Sequence, residues 1–197
     1  NDATVRRYNE SQSPVGICFY PFFFRLGFYA LGMQRFMTAF YDEPDLIDDM
    51  FSHWADLVCQ VIDPVLSAIK IDVAVFNEDL AYKAAPHVAP GIYERFWGPH
   101  QDKVVSLLRR HNVPVVCMWT AGNVDPYIPL LLKHGFNCTW PLEGYENPKM
   151  DARRLRERYG RDLLLAGNIS KQSLIEGPDA IDREIDRLMP LVYEGGF

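Results

Sequence analysis

No run of this sequence stays apolar for the roughly 18 residues that a membrane helix needs. The most apolar stretch, FYPFFF (Phe19 to Phe24), stops at Arg25, so a membrane span is not expected. There is no basic excess either. The 20 Lys and Arg stand against 26 Asp and Glu, a formal charge of -6, which argues against a general nucleic-acid binder. The four cysteines, Cys18, Cys59, Cys117 and Cys138, form no CxxC pair. They read as reduced core residues of a cytoplasmic protein, with no disulfide expected and no zinc-binding spacing. The polar start, NDATVRRYNESQSP, shows no signal-peptide pattern and no initiator Met, and is expected to be the interior of a longer sequence. No linker or low-complexity tract interrupts the rest of the chain. Residues 1–197 are therefore expected to be one domain, with 1–14 a polar N-terminal segment.

What is present is an alternation. Short apolar runs, VGICFY (Val15 to Tyr20), IDVAVF (Ile71 to Phe76), VPVVCMW (Val113 to Trp119), NCTWPL (Asn137 to Leu142) and DLLLAGN (Asp162 to Asn168), are separated by longer amphipathic stretches. That is the pattern of βα units and a parallel sheet. After the first run, helices are expected over LGMQRFMTAFY and over PDLIDDMFSHWADLVCQVIDPVLSAI. In the second of these, Leu46, Met50, Trp54, Leu57, Val58, Val61 and Val65 recur at helical spacing and are expected in the core. Further helices are expected from about Pro90 to Arg110, over PYIPLLLKHG with Gly135 as C-cap, up to Gly160, and after Gly177-Pro178. Arg153, Arg154, Arg156, Arg158 and Arg161 are interleaved with Asp151, Glu157 and Asp162, and read as a solvated helix face.

Two architectures suit such a chain, a doubly wound sheet and a (β/α)8 barrel. A doubly wound nucleotide binder should carry a glycine-rich turn after its first strand, and GFYALG has the wrong spacing for one. The α/β fold expected is therefore a TIM-type (β/α)8 barrel. Five units are too few to close one, since a barrel takes about 250 residues, so the barrel is expected to be incomplete.

Active sites of such folds form where the strands end. Asn77, Glu78 and Asp79 follow the second run; Thr120, Gly122 and Asn123 follow the third; Glu143 follows the fourth; Asn168 and Ser170 follow the fifth. Asn, Asp and Ser at such places also serve as helix caps and loop hydrogen-bonders. Glu78 and Asp79 are the stronger functional candidates, because carboxylates are costly to hold beside a core. They are expected to face one shared pocket. Lys83 and His87 lie in the following loop and receive no role.

Taken in order, FYDEPDLIDDMFSHWADLV, NEDLAYKAAPHVAPGIYERFWGPHQDKV, AGNVDPYIPLLLKHGFN, PLEG, RERYGRDLLLAGNISKQSL and LVYEGGF resemble the uroporphyrinogen decarboxylase superfamily. The resemblance implies a (β/α)8 barrel and one of two chemistries: cofactor-free decarboxylation of uroporphyrinogen, or methyl transfer from a methylated corrinoid protein to a thiol or to tetrahydrofolate. The decarboxylases' N-terminal arginine-rich block and C-terminal His fall outside this chain. Two adjacent acids would repel a polycarboxylate, so the pair points to the methyltransferase-like branch, where a carboxylate accepting two N–H donors suits a pterin edge. The His-x-Cys zinc pair of the thiol-directed enzymes is replaced by Trp119, Thr120 and Ala121 before Gly122, so no metal is expected. Ala121 and Ser170 stand where many relatives carry Asp.

The resemblance thus implies a corrinoid-dependent methyltransferase with a folate-type acceptor. Glu78, Asp79 and Asn123 would orient the pterin, Glu143 and Thr120 would line the pocket, and Asn168 with Ser170 would lie near the acceptor. Methylcobamide and tetrahydrofolate would be substrates, with no tightly bound cofactor. A corrinoid protein would be the partner, and a homo-oligomer or a missing barrel segment is a further expectation. The alternatives are uroporphyrinogen decarboxylase itself, with the acids in another part, and a non-catalytic or split-barrel fragment that needs a partner.

Overall fold

The computed structural model describes residues 2–197. Five strands form one parallel sheet: β1 (Gly16–Phe19), β2 (Val73–Asn77), β3 (Val115–Trp119), β4 (Cys138–Leu142) and β5 (Leu164–Gly167). Their order across the sheet is their order in the chain. A doubly wound sheet reverses direction at a switch point; this one never does, so it is an arc of a TIM-type barrel. Helices fill every connection. They are α1 (Asp2–Asn9) before β1; α2 (Phe23–Leu31), α3 (Met33–Asp42) and α4 (Pro44–Ala68) after it; α5 (Pro90–Phe96) and α6 (Gly98–Arg110) after β2; α7 (Ile128–Lys133) after β3; α8 (Ala152–Tyr159) after β4; and α9 (Lys171–Glu176) and α10 (Pro178–Glu194) after β5.

Three of these differ from the sequence expectation for identifiable reasons. The polar start carries the helix α1, which buries no side chain but whose Asn9 donates to Ala68 O at 2.9 Å and accepts from Lys70 N, closing the end of α4. FYPFFF does not simply extend the first strand; its last two phenylalanines open α2. The helix expected from Pro90 to Arg110 breaks at Trp97-Gly98, where a Cβ on Gly98 would meet the His134 ring at 2.6 Å.

The core lies between the sheet and the helices and is largely aromatic. Phe76 of β2 meets Phe19, Phe22 and Phe136 at ring-centroid distances of 4.7, 4.7 and 4.9 Å. Phe22 leads to Phe23 at 4.3 Å, Phe23 to Phe51 at 4.6 Å, and Phe51 to Trp97 at 5.0 Å, so α2, α4 and α5 are joined through one ring cluster. Along α4 the buried positions are Ile47, Phe51, Ala55, Val58, Ile62 and Leu66. Of the stripe expected from spacing, only Val58 belongs to that set. Leu57, Val61 and Val65 are exposed, and Leu57 and Val61, with Trp54, flank the edge strand β1. The helix is apolar on two adjoining faces, and only one of them meets the sheet.

The other face of the sheet carries little cover. In-register neighbours of a parallel ladder share a face. Cys18, Val75, Cys117 and Cys138 therefore form one row, and Asn77, Trp119 and Trp140 form the next toward the strand ends. Cys117 and Cys138 are buried, but Cys18 is exposed. The expectation of core cysteines fails there, because β1 is an edge strand and this face is open beside it.

Phe51 is fully buried at the junction of the ring cluster. Phe51→Ala should therefore cost about 3–5 kcal/mol, visible as a lowered urea midpoint with an unchanged slope.

Candidate active site

The loop that leaves β2 holds Glu78 and Asp79, and the two side chains part company. Strand side chains alternate between faces, so Glu78 continues the buried Ala74–Phe76 line while Asn77 and Asp79 turn to the open face. The Glu78 carboxyl lies wholly out of solvent. Its Oε2 accepts the backbone N–H of Phe24 at 2.6 Å, and its Oε1 accepts from Gln101 Nε2 at 3.4 Å. Gln101 is itself held by the Tyr93 hydroxyl at 2.5 Å. Helix α2 begins after Phe22, a residue with no capping side chain. Glu78 satisfies a first-turn N–H from across the fold, at the positive end of the helix dipole. Desolvation pushes its carboxyl up to about 8, against the pull of the Phe24 and Gln101 donors.

Asp79 takes the left-handed backbone conformation, φ 63, which Asp tolerates better than most residues. Its Oδ2 accepts from Arg25 Nη2 at 3.1 Å, and Asn77 Oδ1 accepts from Arg25 Nε at 3.0 Å. The guanidinium lies 5.4 Å from the Tyr20 ring centroid and 5.8 Å from that of Trp119. The expected pocket of two negative charges is thus replaced by one neutral buried acid and one acid paired with a cation. The electrostatic argument against a polycarboxylate ligand falls with it.

The end of β3 is occupied by structural work. Thr120 Oγ1 accepts the Leu80 N–H at 2.8 Å, Asn123 Nδ2 donates to Ala84 O at 3.0 Å, and both residues are buried. They hold the loop after β2 against the loop after β3. Gly122 lets the two backbones meet: its φ is 80, and a Cβ there would lie 2.5 Å from Tyr82 O.

Glu143, at the end of β4, is different. Its Oε2 accepts the Gly122 N–H at 3.0 Å, while Oε1 accepts from Lys171 Nζ at 2.9 Å and from the Tyr145 hydroxyl at 3.3 Å. Desolvation alone would raise its pKa, but Lys171, the Gly122 N–H and Tyr145 outweigh it and hold the carboxyl below its ordinary value. It lines a cleft of about 170 Å³ with Tyr82, Lys83, Gly122, Asn147 and Lys171. Lys83 in turn is ion-paired with Glu146.

At the end of β5, Asn168 is again a framework residue, buried and with φ 67. Its Oδ1 accepts the Ala152 N–H at 3.0 Å, and Arg187 donates to its carbonyl at 2.9 Å. Ser170 precedes α9 and donates its backbone N–H to Glu184. His87 stacks on Phe24 at 5.4 Å. Of the residues selected by sequence, then, Asp79 and Glu143 keep carboxylates at the mouth, whereas Glu78, Thr120, Asn123 and Asn168 point into the framework. Sequence reasoning passed over Arg25, Lys171 and Tyr145. Arg25 had a usable signal, a lone cation inside FFFRLGFY. Among the described residues no group of three or more His, Cys, Asp or Glu is placed to hold a metal ion, and no helix is long and apolar enough to cross a membrane.

The sequence matches the uroporphyrinogen decarboxylase (URO-D) family over residues 5–195. The chain belongs to this family. A solved structure, a methyltransferase from Methanosarcina mazei, superposes with a TM-score of 0.72 at 19% sequence identity, over 95% of this chain and 52% of its own. That likeness shows a shared fold, and this URO-D chain spans about half the length of that structure. No curated protein matches.

The raised pKa of Glu78 sets a pH dependence. The fold favours the neutral acid, so its contribution to stability is greatest below the ordinary carboxyl pKa of 4.5 and declines as pH rises toward about 8. The decline should approach about 1.4 kcal/mol per pH unit between pH 5 and 8. The paired carboxyls Asp72, Glu143 and Glu184 are all held low, so they act below that window. Urea unfolding from pH 5 to 8 should show this slope in the wild type and a flatter one in Glu78→Gln.

Proposed function

We propose that this URO-D family chain is part of a corrinoid-dependent methyltransferase of the methyltransferase-like branch, with a folate-type acceptor. The observation that carries the reading is the Glu143 cleft. A largely buried carboxylate there is held by one backbone donor and by a solvent-exposed lysine that can be exchanged. An aminopyrimidine edge offers two parallel N–H donors, and a carboxylate is the matching acceptor pair. The cleft, about 170 Å³, is lined by Glu143 together with Tyr82, Gly122 and Lys171. The shared fold with a methyltransferase is consistent with it.

In this reading Glu143 binds the ring edge, Lys171 swings from Glu143 to solvent as the ring enters, and Tyr145 stays on the carboxylate. Thr120, Asn123 and Asn168 hold the loops that shape the cleft, and do not touch the acceptor. The corrinoid, on its own protein, would supply the methyl group at the same strand-end mouth. Rate would come from placing donor and acceptor in line, with little acid–base work.

Calorimetric titration with tetrahydrofolate should give saturable binding that Glu143→Gln weakens by about tenfold, the usual scale for losing one charge-assisted pair. Ligand at a hundred times its Kd should also raise stability by about 2.7 kcal/mol in a thermal melt. No binding of tetrahydrofolate, together with a melt shifted by uroporphyrin, would return the chain to the decarboxylase reading.

A further inference from the structure

Arg25 is used by nothing in the reading above, yet it sits at the same mouth in surroundings that a purely structural arginine does not need. The rim of the open face presents Tyr20, which follows β1, then Asn77, Trp119 and Trp140 in register on β2, β3 and β4. Tyr20 and Trp140 are 56% and 42% exposed. Trp119 and Trp140 meet edge to face at 6.4 Å. The Tyr20 and Tyr29 hydroxyls are 2.8 Å apart, and Tyr29 is held below its ordinary pKa by Tyr20 and then by Arg25. Exposed Tyr20 and Trp140 rings beside one cation offer contacts to an aromatic, anionic group.

The cation's present partner is weakly held. Asp79 meets Arg25 through one oxygen and one nitrogen, and its side chain is 40% exposed. Such one-point, half-exposed pairs contribute only about 0.2–1 kcal/mol. A carboxylate gripping the guanidinium through two hydrogen bonds beside aromatic faces does better. Asn77, bonded to Nε, keeps the guanidinium in place if Asp79 leaves. The neighbouring Glu78 turns away from this face, its carboxyl buried against the Phe24 N–H and Gln101.

We propose that Arg25 anchors a second subsite, for a carboxylate at the end of an aromatic amide arm: the arm's ring packs against the exposed Trp140, and the carboxylate displaces Asp79 from Arg25. The cleft-lining Ala121 and Gly122 follow Trp119 and Thr120 directly in the chain. The choice of ring and arm rests on the folate-type reading, whose acceptor carries a benzoylglutamate tail; the cationic site itself does not.

The test uses 4-aminobenzoylglutamate, which has the arm and no pterin, and follows quenching of tryptophan fluorescence. Saturable quenching is expected, with affinity weakened about tenfold or more in Arg25→Met and reduced in Trp140→Phe. Asp79→Asn decides the matter, because it should tighten binding several-fold by removing the competing anion. An Asp79 that served only as a clasp would leave the affinity unchanged, and one that itself bound ligand would weaken it on substitution; either result overturns the proposal. Circular dichroism and thermal melts establish that each variant is folded, and Arg25→Lys covers the case in which Arg25→Met does not fold. Tetrahydrofolate binding that needs Glu143 but not Arg25 would remove this subsite and leave the acceptor reading standing. Arg25-dependent binding of the arm without any tetrahydrofolate binding would do the reverse.

Discussion

The end of β2 is clamped to helix α2 by two adjacent acids acting in different ways, and much of the site depends on that clamp. Glu78 reaches 54 residues back to the Phe24 N–H, and Asp79 reaches the side chain of Arg25 on the same helix. The first contact gives α2 the N-terminal partner its own sequence lacks. It thereby fixes the phenylalanine cluster that joins α2, α4 and α5. The second leaves a guanidinium standing over the open face. Without the clamp, α2 would start with an orphan donor buried among rings, which is costly.

The two acids Glu78 and Glu143 also show how burial decides chemistry. Glu78 is wholly enclosed and loses its charge near neutrality, so it serves the framework as a neutral group. Glu143 is mostly enclosed too, but a lysine, a phenol and a backbone donor surround it, and it keeps its charge. Donors converge on both carboxyls; the difference is that desolvation outweighs them at the fully enclosed Glu78 and not at Glu143. The remaining polar groups divide similarly. Thr120, Asn123 and Asn168 are buried and bond to backbone partners, and Asp79, Glu143 and Lys171 retain contact with solvent.

The incomplete arc gives the chain its other distinctive property, a sheet face and a helix flank that are apolar and uncovered. Leu57 and Val61 of the unburied stripe of α4 lie beside β1. At the opposite edge, Gly196 O accepts the Leu165 N–H at 3.0 Å, so the end of the chain already runs along β5.

The order of units, the parallel sheet and the strand ends were legible in the sequence because they rest on local signals: apolar runs of strand length, helical periodicity, and glycine or proline at the junctions. Gly160, and Gly177 with Pro178, mark helix boundaries as read. The polar residue after each strand was legible for the same reason. What each of them faces was not. Glu78 and Asp79 are neighbours in sequence but opposite in direction, since a strand turns its side chains by period two and Asp79 adds a left-handed kink. The donors that hold them, the Phe24 N–H, Gln101 and Arg25, lie 23 to 54 residues away. Local signals in the chain fix which polar groups stand at the strand ends; which of them face solvent and which turn into the framework is settled by packing, because desolvation and long-range hydrogen bonds exist only once the helices have packed.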